Sequence, residues 1–313
     1  MAKFTITPSP HMLSPRSTQS IMRDVLIALI PALVAAVVFF GPRALLVVAV
    51  CVVSCVLFEY LCRRIMKRDN TISDLSAVVT GVLLAYNLPV TIPLWMAVIG
   101  SFVSIVIVKQ LFGGIGQNFA NPAITGRIFL FVSFAVPMTT WMPPFFYNHA
   151  ADAVSTATPL LDITGANTLD LFLGNVPGCL GETSALALLL GGVYLVVRKV
   201  ISPVIPAVYI GTVFVLSACF GSDPLNQILA GGLMLGAIFM ATDYATSPIT
   251  TKGKIIFAFG CGLITIAIRM FGNYPEGVSF SILFMNVVCP LIDRWTKKKP
   301  FGLKKEKGAK QNG

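Results

Sequence analysis

Residues 25–64 read VLIALIPALVAAVVFFGPRALLVVAVCVVSCVLFEYLCRR. Between Asp24 and Glu59 the only charged residue is Arg43. Two apolar runs meet at Gly41-Pro42, a pair that breaks regular structure. Each run is close to the length of about 20 residues that a helix needs to cross bilayer hydrocarbon. The stretch therefore reads as two membrane-crossing helices joined by a tight turn.

Working outward, the same pattern recurs along the chain. Of 313 residues, 56% are hydrophobic and 12% charged, and mean hydropathy is +0.83. A soluble domain carries about 25% charged residues, so a large soluble core does not account for the composition. Apolar runs at 22–40, 44–62, 72–87, 92–111, 121–138, 182–198, 203–220, 225–242, 254–271 and 277–294 predict an all-α membrane protein of about ten transmembrane helices. The third run is short and contains Gly81, which predicts a tilted, broken or partly spanning helix. No small-residue cleavage site closes a short apolar core near the start, so the first span is expected to stay in the mature protein.

Basic residues fix the expected orientation. With the N-terminus in the cytoplasm, 21 of the 23 Lys and Arg fall on inner segments, and only Arg43 and Arg269 on outer ones. This arrangement places both termini in the cytoplasm. It divides the chain into an N-terminal segment 1–21, a first five-helix unit 22–138, an outer loop 139–181, a second five-helix unit 182–295 and a basic tail 296–313. The basic residues flank apolar runs and form no aromatic-interleaved patch, so the net charge of +10 argues for a lipid bilayer rather than nucleic acid as partner.

A repeat is visible. LPVT at 88–91 matches SPIT at 247–250, and LFGG at 111–114 matches MFGN at 270–273, both at an offset of 159 residues. An odd number of spans per half makes the two halves inverted. Inverted repeats create a site at their interface, often with interrupted helices.

The outer loop contains no Lys or Arg, as translocation favours, and within it residues 152–159 read DAVSTATP. By itself this is a polar loop with hydroxyls near a proline. The nucleophile-elbow pattern is absent, and no strand–turn–helix context supports a triad of a serine with His149 and Asp152. Seven cysteines show neither a CxxC pair nor His-paired spacing, so metal and iron–sulfur ligation have no support. Cys51, Cys55 and Cys62 share a helical face and read as small buried hydrophobes. Gly113, Gly114 and Gly116 follow no strand, which excludes a dinucleotide fold.

The segment resembles the flavinylation motif of a family of membrane proteins: the D component of Rnf electron-transport complexes and the B component of sodium-pumping NADH:quinone oxidoreductases. An acidic residue, Asp152, precedes Ser155-Thr156-Ala157-Thr158, with Thr156 where many members have Gly. SPH at 9–11, FANPAITGR at 119–127, GETSALA at 181–187 and MATDYATSP at 240–248 resemble further family landmarks in the family's order. The overall length and short N-terminus are closer to the Rnf component.

The resemblance implies FMN joined to Thr158 through a phosphoester, and a noncovalent riboflavin between helices near Asn118 and Asn121. It implies electron relay coupled to Na⁺ or H⁺ movement in a ferredoxin:NAD⁺ oxidoreductase, which this chain would serve without being catalytic alone. The implied partners are the other membrane and peripheral Rnf subunits and a flavin transferase. The implied location is a bacterial or archaeal cell (inner) membrane. NAD and ferredoxin sites are expected on partners, since neither a nucleotide fingerprint nor cluster-ligand spacing occurs here.

Two alternatives stay open: the equivalent quinone-reductase component, and a cofactor-free inverted-repeat channel or transporter. Read as structure, Asn121 and Pro122 form a helix-capping arrangement. Intramembrane acids are costly and commonly functional. Asp243 is accordingly assigned to an ion path or flavin site. Glu59 is an ion-path residue or, as structure, the partner of Arg63 four residues on.

Overall fold

The computed structural model describes residues 16–148, 158–160, 163, 165, 167–272 and 276–297. Among them the chain is helical and contains no β-strand. Four helices are long and apolar enough to cross a membrane: α1 (Thr18–Phe40), α2 (Pro42–Ile65), α12 (Thr251–Phe271) and α13 (Val278–Thr296). Gly41 separates the first two with φ +75, a left-handed conformation that favours glycine, and Pro42 opens α2 where its missing N–H costs nothing.

The other expected spans are shorter or interrupted. They are α3 (Ser76–Tyr86), α4 (Leu94–Phe102, running on as a π-helix over Val103–Gln110), α5 (Pro122–Ser133), α6 (Ala135–Met138), α8 (Ala185–Val197) and α9 (Val204–Cys219). Between α6 and α8 lies the short α7 (Thr168–Leu173). The run 225–242, expected as one span, is divided into α10 (Pro224–Leu229) and α11 (Leu233–Leu235), the latter extended by a π-helical turn over Gly236–Met240. The break is at Ala230–Gly232, where Gly231 adopts φ +66. An apolar run is blind to this, because hydropathy does not register backbone handedness.

The apolar surface follows from the solvent. On α1, Ile30, Val34 and Val38 recur every four residues and are more than half exposed, as a lipid-facing stripe requires. The opposite face buries Ala28, Ala32 and Ala36. Small residues on that side allow close helix approach. α1 packs on α8, where a Cβ on Gly191 would overlap the Ala28 carbonyl oxygen. A Cβ on Gly81 of α3 would lie 2.7 Å from Val52 Cα in α2. Gly191→Ala is expected to cost about 1–3 kcal/mol, the usual range for overpacking, and to lower the unfolding temperature of the detergent-solubilised chain. An unchanged melting curve would contradict the α1–α8 contact.

Segments assigned by charge to the same side do meet. At one end Arg43 Nε donates to the Val90 carbonyl (2.9 Å), Phe145 N–H to Phe39 O (2.7 Å) and the Tyr147 hydroxyl to Val38 O (3.0 Å). At the other, Arg16 donates to the carbonyls of Arg198 (2.8 Å) and Lys199 (3.1 Å), Arg198 pairs with Asp24 (3.2 Å), and the Tyr244 hydroxyl donates to Val200 O. The repeated motifs begin in matching places: LPVT and SPIT lead into α4 and α12, and LFGG follows the π-helical end of α4 as Met270 and Phe271 close α12.

Between these ends the interior is polar where helices stop. The segment before α8 folds back into the bundle, and its Leu180 and Gly181 N–H groups donate to the carbonyls of Leu88, just past α3, and Tyr86, its last residue (3.0 and 2.9 Å). Backbone freed by a short helix is satisfied by another interrupted segment, which is the condition for non-helical chain at membrane depth.

Candidate functional sites in the interior

Three residues singled out from sequence converge on one cavity. It measures about 220 Å³ and is lined by Asn118, Asn121 and Asp243 together with Lys109 and the apolar side chains Met22 and Phe239. Asn121 caps α5 as expected: its Oδ1 accepts from Ala123 N–H (3.0 Å) and Ile124 N–H (3.3 Å). Its amide nitrogen crosses to the Met240 carbonyl (3.2 Å), tying α5 to the π-turn after α11. Asp243 accepts from the Thr246 hydroxyl (3.1 Å) and the Ala245 N–H (3.5 Å). Asn118 and the Lys109 charge further offset the cost of burying its carboxylate.

Glu59 is fully buried but outside the cavity wall. Its partner is Lys109 (2.7 Å), fifty residues away, and not the Arg63 that helical spacing favours. The Thr71 hydroxyl donates to its other oxygen (2.9 Å), and Lys109 also reaches the Ser76 hydroxyl (2.6 Å). A buried carboxylate needs a partner buried with it, and Lys109, 2% exposed, supplies that charge. Asn121→Ala is expected to cost about 1 kcal/mol through the lost cap and to open the α5–Met240 contact. Thermal unfolding checks this, and a change within error would contradict it.

The second constellation centres on Arg127, which side-by-side charge counting assigns to the inner face. It is 4% exposed and lies inside the bundle. Nη1 donates to Asn87 Oδ1 at the end of α3 (2.5 Å), and Nη2 donates to Glu182 (3.0 Å), to Glu276 and to the Cys179 thiol (3.7 Å). One guanidinium thus joins α5, the end of α3, the fold-back segment before α8, and the α12–α13 turn. Gly232 abuts Glu182 and Arg127, and its neighbour Gly231 abuts Arg269. Cys179, Glu182 and Glu276 bring their ligating atoms within 4.8 Å of one another. The arginine already occupies that space.

Thr158 borders this centre. It is 5% exposed, in a cleft shared with Pro159, Gly178, Glu182, Thr183 and Gly231. The cleft holds about 10 Å³, about one water. A ring system joined to Thr158 would lie outside it, with only its link near the cleft. Asp152, Ser155, Thr156 and Ala157 lie outside the described residues.

The sequence profile of the NQR2, RnfD, RnfE family matches residues 5–302. The chain belongs to this family. Among its relatives, the D component of the Na⁺-translocating ferredoxin:NAD⁺ oxidoreductase complex of Acetobacterium woodii is 51% identical over 97% of both chains. The D component of the proton-translocating ferredoxin:NAD⁺ oxidoreductase complex of Clostridium ljungdahlii is 45% identical over 96% of this chain and 97% of its own. The D component of the ion-translocating oxidoreductase complex of Halorhodospira halophila is 38% identical over 95% of each.

Sequence reading misses much of what the interior of this NQR2, RnfD, RnfE family member is built from: Asn87, Arg127, Lys109, Glu182 and Glu276. The signal is present for Arg127 and Lys109, each an ionisable residue inside an apolar run, ITGRIFLFV and IVIVKQLF. The two carboxylates that pair with Arg127, those of Glu182 and Glu276, lie outside helices, where an acid is unremarkable.

Proposed function

We propose that this chain is a membrane subunit of an ion-translocating ferredoxin:NAD⁺ oxidoreductase complex, relaying electrons through flavins coupled to Na⁺ or H⁺ movement. The observation that carries the reading is the end-to-end likeness to the D components of such complexes in two organisms, at 51% and 45% identity. The chain is read as ten spans in two inverted five-helix units with both termini in the cytoplasm. Support comes from the matched placement of the two repeated motifs and from the packing of α1 on α8 and α5 on α13 across the halves.

FMN on Thr158 and a riboflavin in the 220 Å³ cavity are the two carriers in this reading. The cavity chemistry fits a flat heteroaromatic ring: apolar walls for its faces, and the amides of Asn118 and Asn121 for its polar edge. The cleft at Thr158, about 10 Å³ and lined by Glu182, holds neither a ring nor a phosphate, so a group joined to Thr158 would lie outside it. A bound flavin supplies the electron-accepting ring. This chain's residues hold it, exclude water from the cavity and keep the intramembrane charges paired.

The ion path is assigned to Asp243, with Glu59 and Lys109 behind it. Acid precipitation of the purified complex tests the cofactor reading: protein-bound flavin in the pellet and riboflavin in the supernatant are expected. A colourless pellet contradicts it. An assay of the assembly with ferredoxin and with quinone separates it from the quinone-reducing alternative, and reduction of quinone alone would overturn the assignment.

A further inference from the structure

α2 closes on four cations, Arg63, Arg64, Lys67 and Arg68. Elsewhere Lys109, Arg127 and Arg198 pair with carboxylates, but none of these four forms an ion pair among the described residues. Glu59, one turn before Arg63, is taken by Lys109 (2.7 Å). Arg64 Nη1 donates to the Tyr60 hydroxyl (2.8 Å).

The backbone brings Arg63 and Arg68 together. Lys67 adopts φ +53, a left-handed conformation uncommon for a residue with a side chain. Its N–H donates to Arg64 O (3.2 Å), and the Arg68 N–H donates to Arg63 O (2.9 Å). In this helix cap the first and last residues commonly make an apolar contact. Here those two places hold guanidinium groups. Both reach the loop after the π-helical end of α4: Arg68 Nη1 donates to Gln110 O (3.3 Å), and a Cβ on Gly114 would overlap Arg63 Nη2. Gln110 Oε1 lies 3.9 Å from that same Cβ position. Gln110 is fully buried, and both polar atoms of its side chain, like Arg63 Nε, lack a partner among the described residues. A helix C-terminus favours a cation, but two cations folded onto one loop repel each other unless an anion meets them.

The place along the helix shows which anion. Val53, Leu57, Leu61 and Ile65 recur every four residues on α2 and are exposed, the mark of a lipid-facing stripe. α2 is long and apolar enough to cross a bilayer, so its last turn lies at the level of the lipid headgroups. In the adjoining loop Leu111, Phe112 and Ile115 are exposed as well. Unpaired cations at the end of an apolar stripe match a lipid, with its acyl chains along the stripe and its phosphate at the arginines. A soluble anion makes no use of the stripe.

We propose that the last turn of α2 is a binding site for an anionic phospholipid, whose phosphodiester is held by Arg63 and Arg68.

The test uses the assembled complex, stripped of lipid in detergent and reloaded with phosphatidylglycerol or with phosphatidylcholine. Bound lipids are counted by native mass spectrometry. At equal lipid concentration the wild type is expected to hold one more phosphatidylglycerol than Arg63→Gln/Arg68→Gln, and the affinity for that lipid should fall about tenfold or more in the variant, the weight of two cations beside an anionic headgroup. Arg63→Lys/Arg68→Lys should retain most of it. Equal counts and affinities in wild type and the Gln variant overturn the proposal, as does filling of the site by phosphatidylcholine as readily as by phosphatidylglycerol. Displacement of the lipid by millimolar inorganic phosphate would make this a site for a soluble anion and overturn the lipid assignment. If the double Gln variant fails to assemble, Arg68→Gln alone decides, since Arg68 is exposed: a weakened hold on phosphatidylglycerol supports the site, and an unchanged one overturns it.

Discussion

Thr158→Ala is expected to abolish covalent flavin on this chain. A phosphoester needs a hydroxyl, and alanine has none, so the loss is all or none rather than graded. Coexpressed with its flavin transferase, the wild-type chain should give a band that fluoresces under ultraviolet light on a denaturing gel. The Thr158→Ala band should be dark at equal protein load. Thr158→Ser keeps the hydroxyl and should restore part of the signal. The variant should fold normally, because Thr158 lies in a cleft of about 10 Å³ where a lost methyl and hydroxyl leave a small space. Electron transfer through the complex should fall with the fluorescence. A fluorescent Thr158→Ala band would contradict the attachment site. Full ion transport by a dark variant would favour the cofactor-free transporter.

The largest stability effect is expected at Arg127. Arg127→Met strands Glu182 and Glu276 in a buried site, and uncovering a buried charge of this kind costs about 3–5 kcal/mol. Glu276→Ala should cost less, since Arg127 keeps Glu182 and Asn87. The informative comparison is the double variant Arg127→Met/Glu182→Gln. Removing one stranded charge should recover part of the loss, as residues in one network couple strongly. Thermal unfolding of the solubilised complex reads this directly. Equal unfolding temperatures for wild type and Arg127→Met would show that the centre does not hold the four segments together.

How much of this is legible in the sequence depends on the kind of force involved. Hydropathy finds the long helical runs, because lipid contact needs apolar side chains whatever the fold. It does not find the break at Gly231, which is a matter of φ. It also runs past the break at Phe134, where α5 gives way to α6, and past the start of α8, where Glu182, Thr183 and Ser184 are buried polar residues outside the helix. Asn121 is legible as a cap because capping is local. The convergence of Asn118, Asn121 and Asp243 on one cavity is not, since Asn121 and Asp243 are distant along the chain and only packing joins them. Glu59 shows the same limit: helical spacing offers Arg63, and burial selects Lys109. Arg127 is misplaced for a related reason. Counting charges by side treats every basic residue as solvated, whereas this one is neutralised inside the bundle by acids from two distant loops.

The claim on which the electron-relay account depends is chemical and can be read from one peptide. Mass spectrometry of the fragment spanning residues 139–181, taken from protein purified from its native host, should show an FMN adduct with fragmentation placing it on Thr158. A fragment with unmodified Thr158, in a complex that still moves electrons from ferredoxin to NAD⁺, would contradict the account.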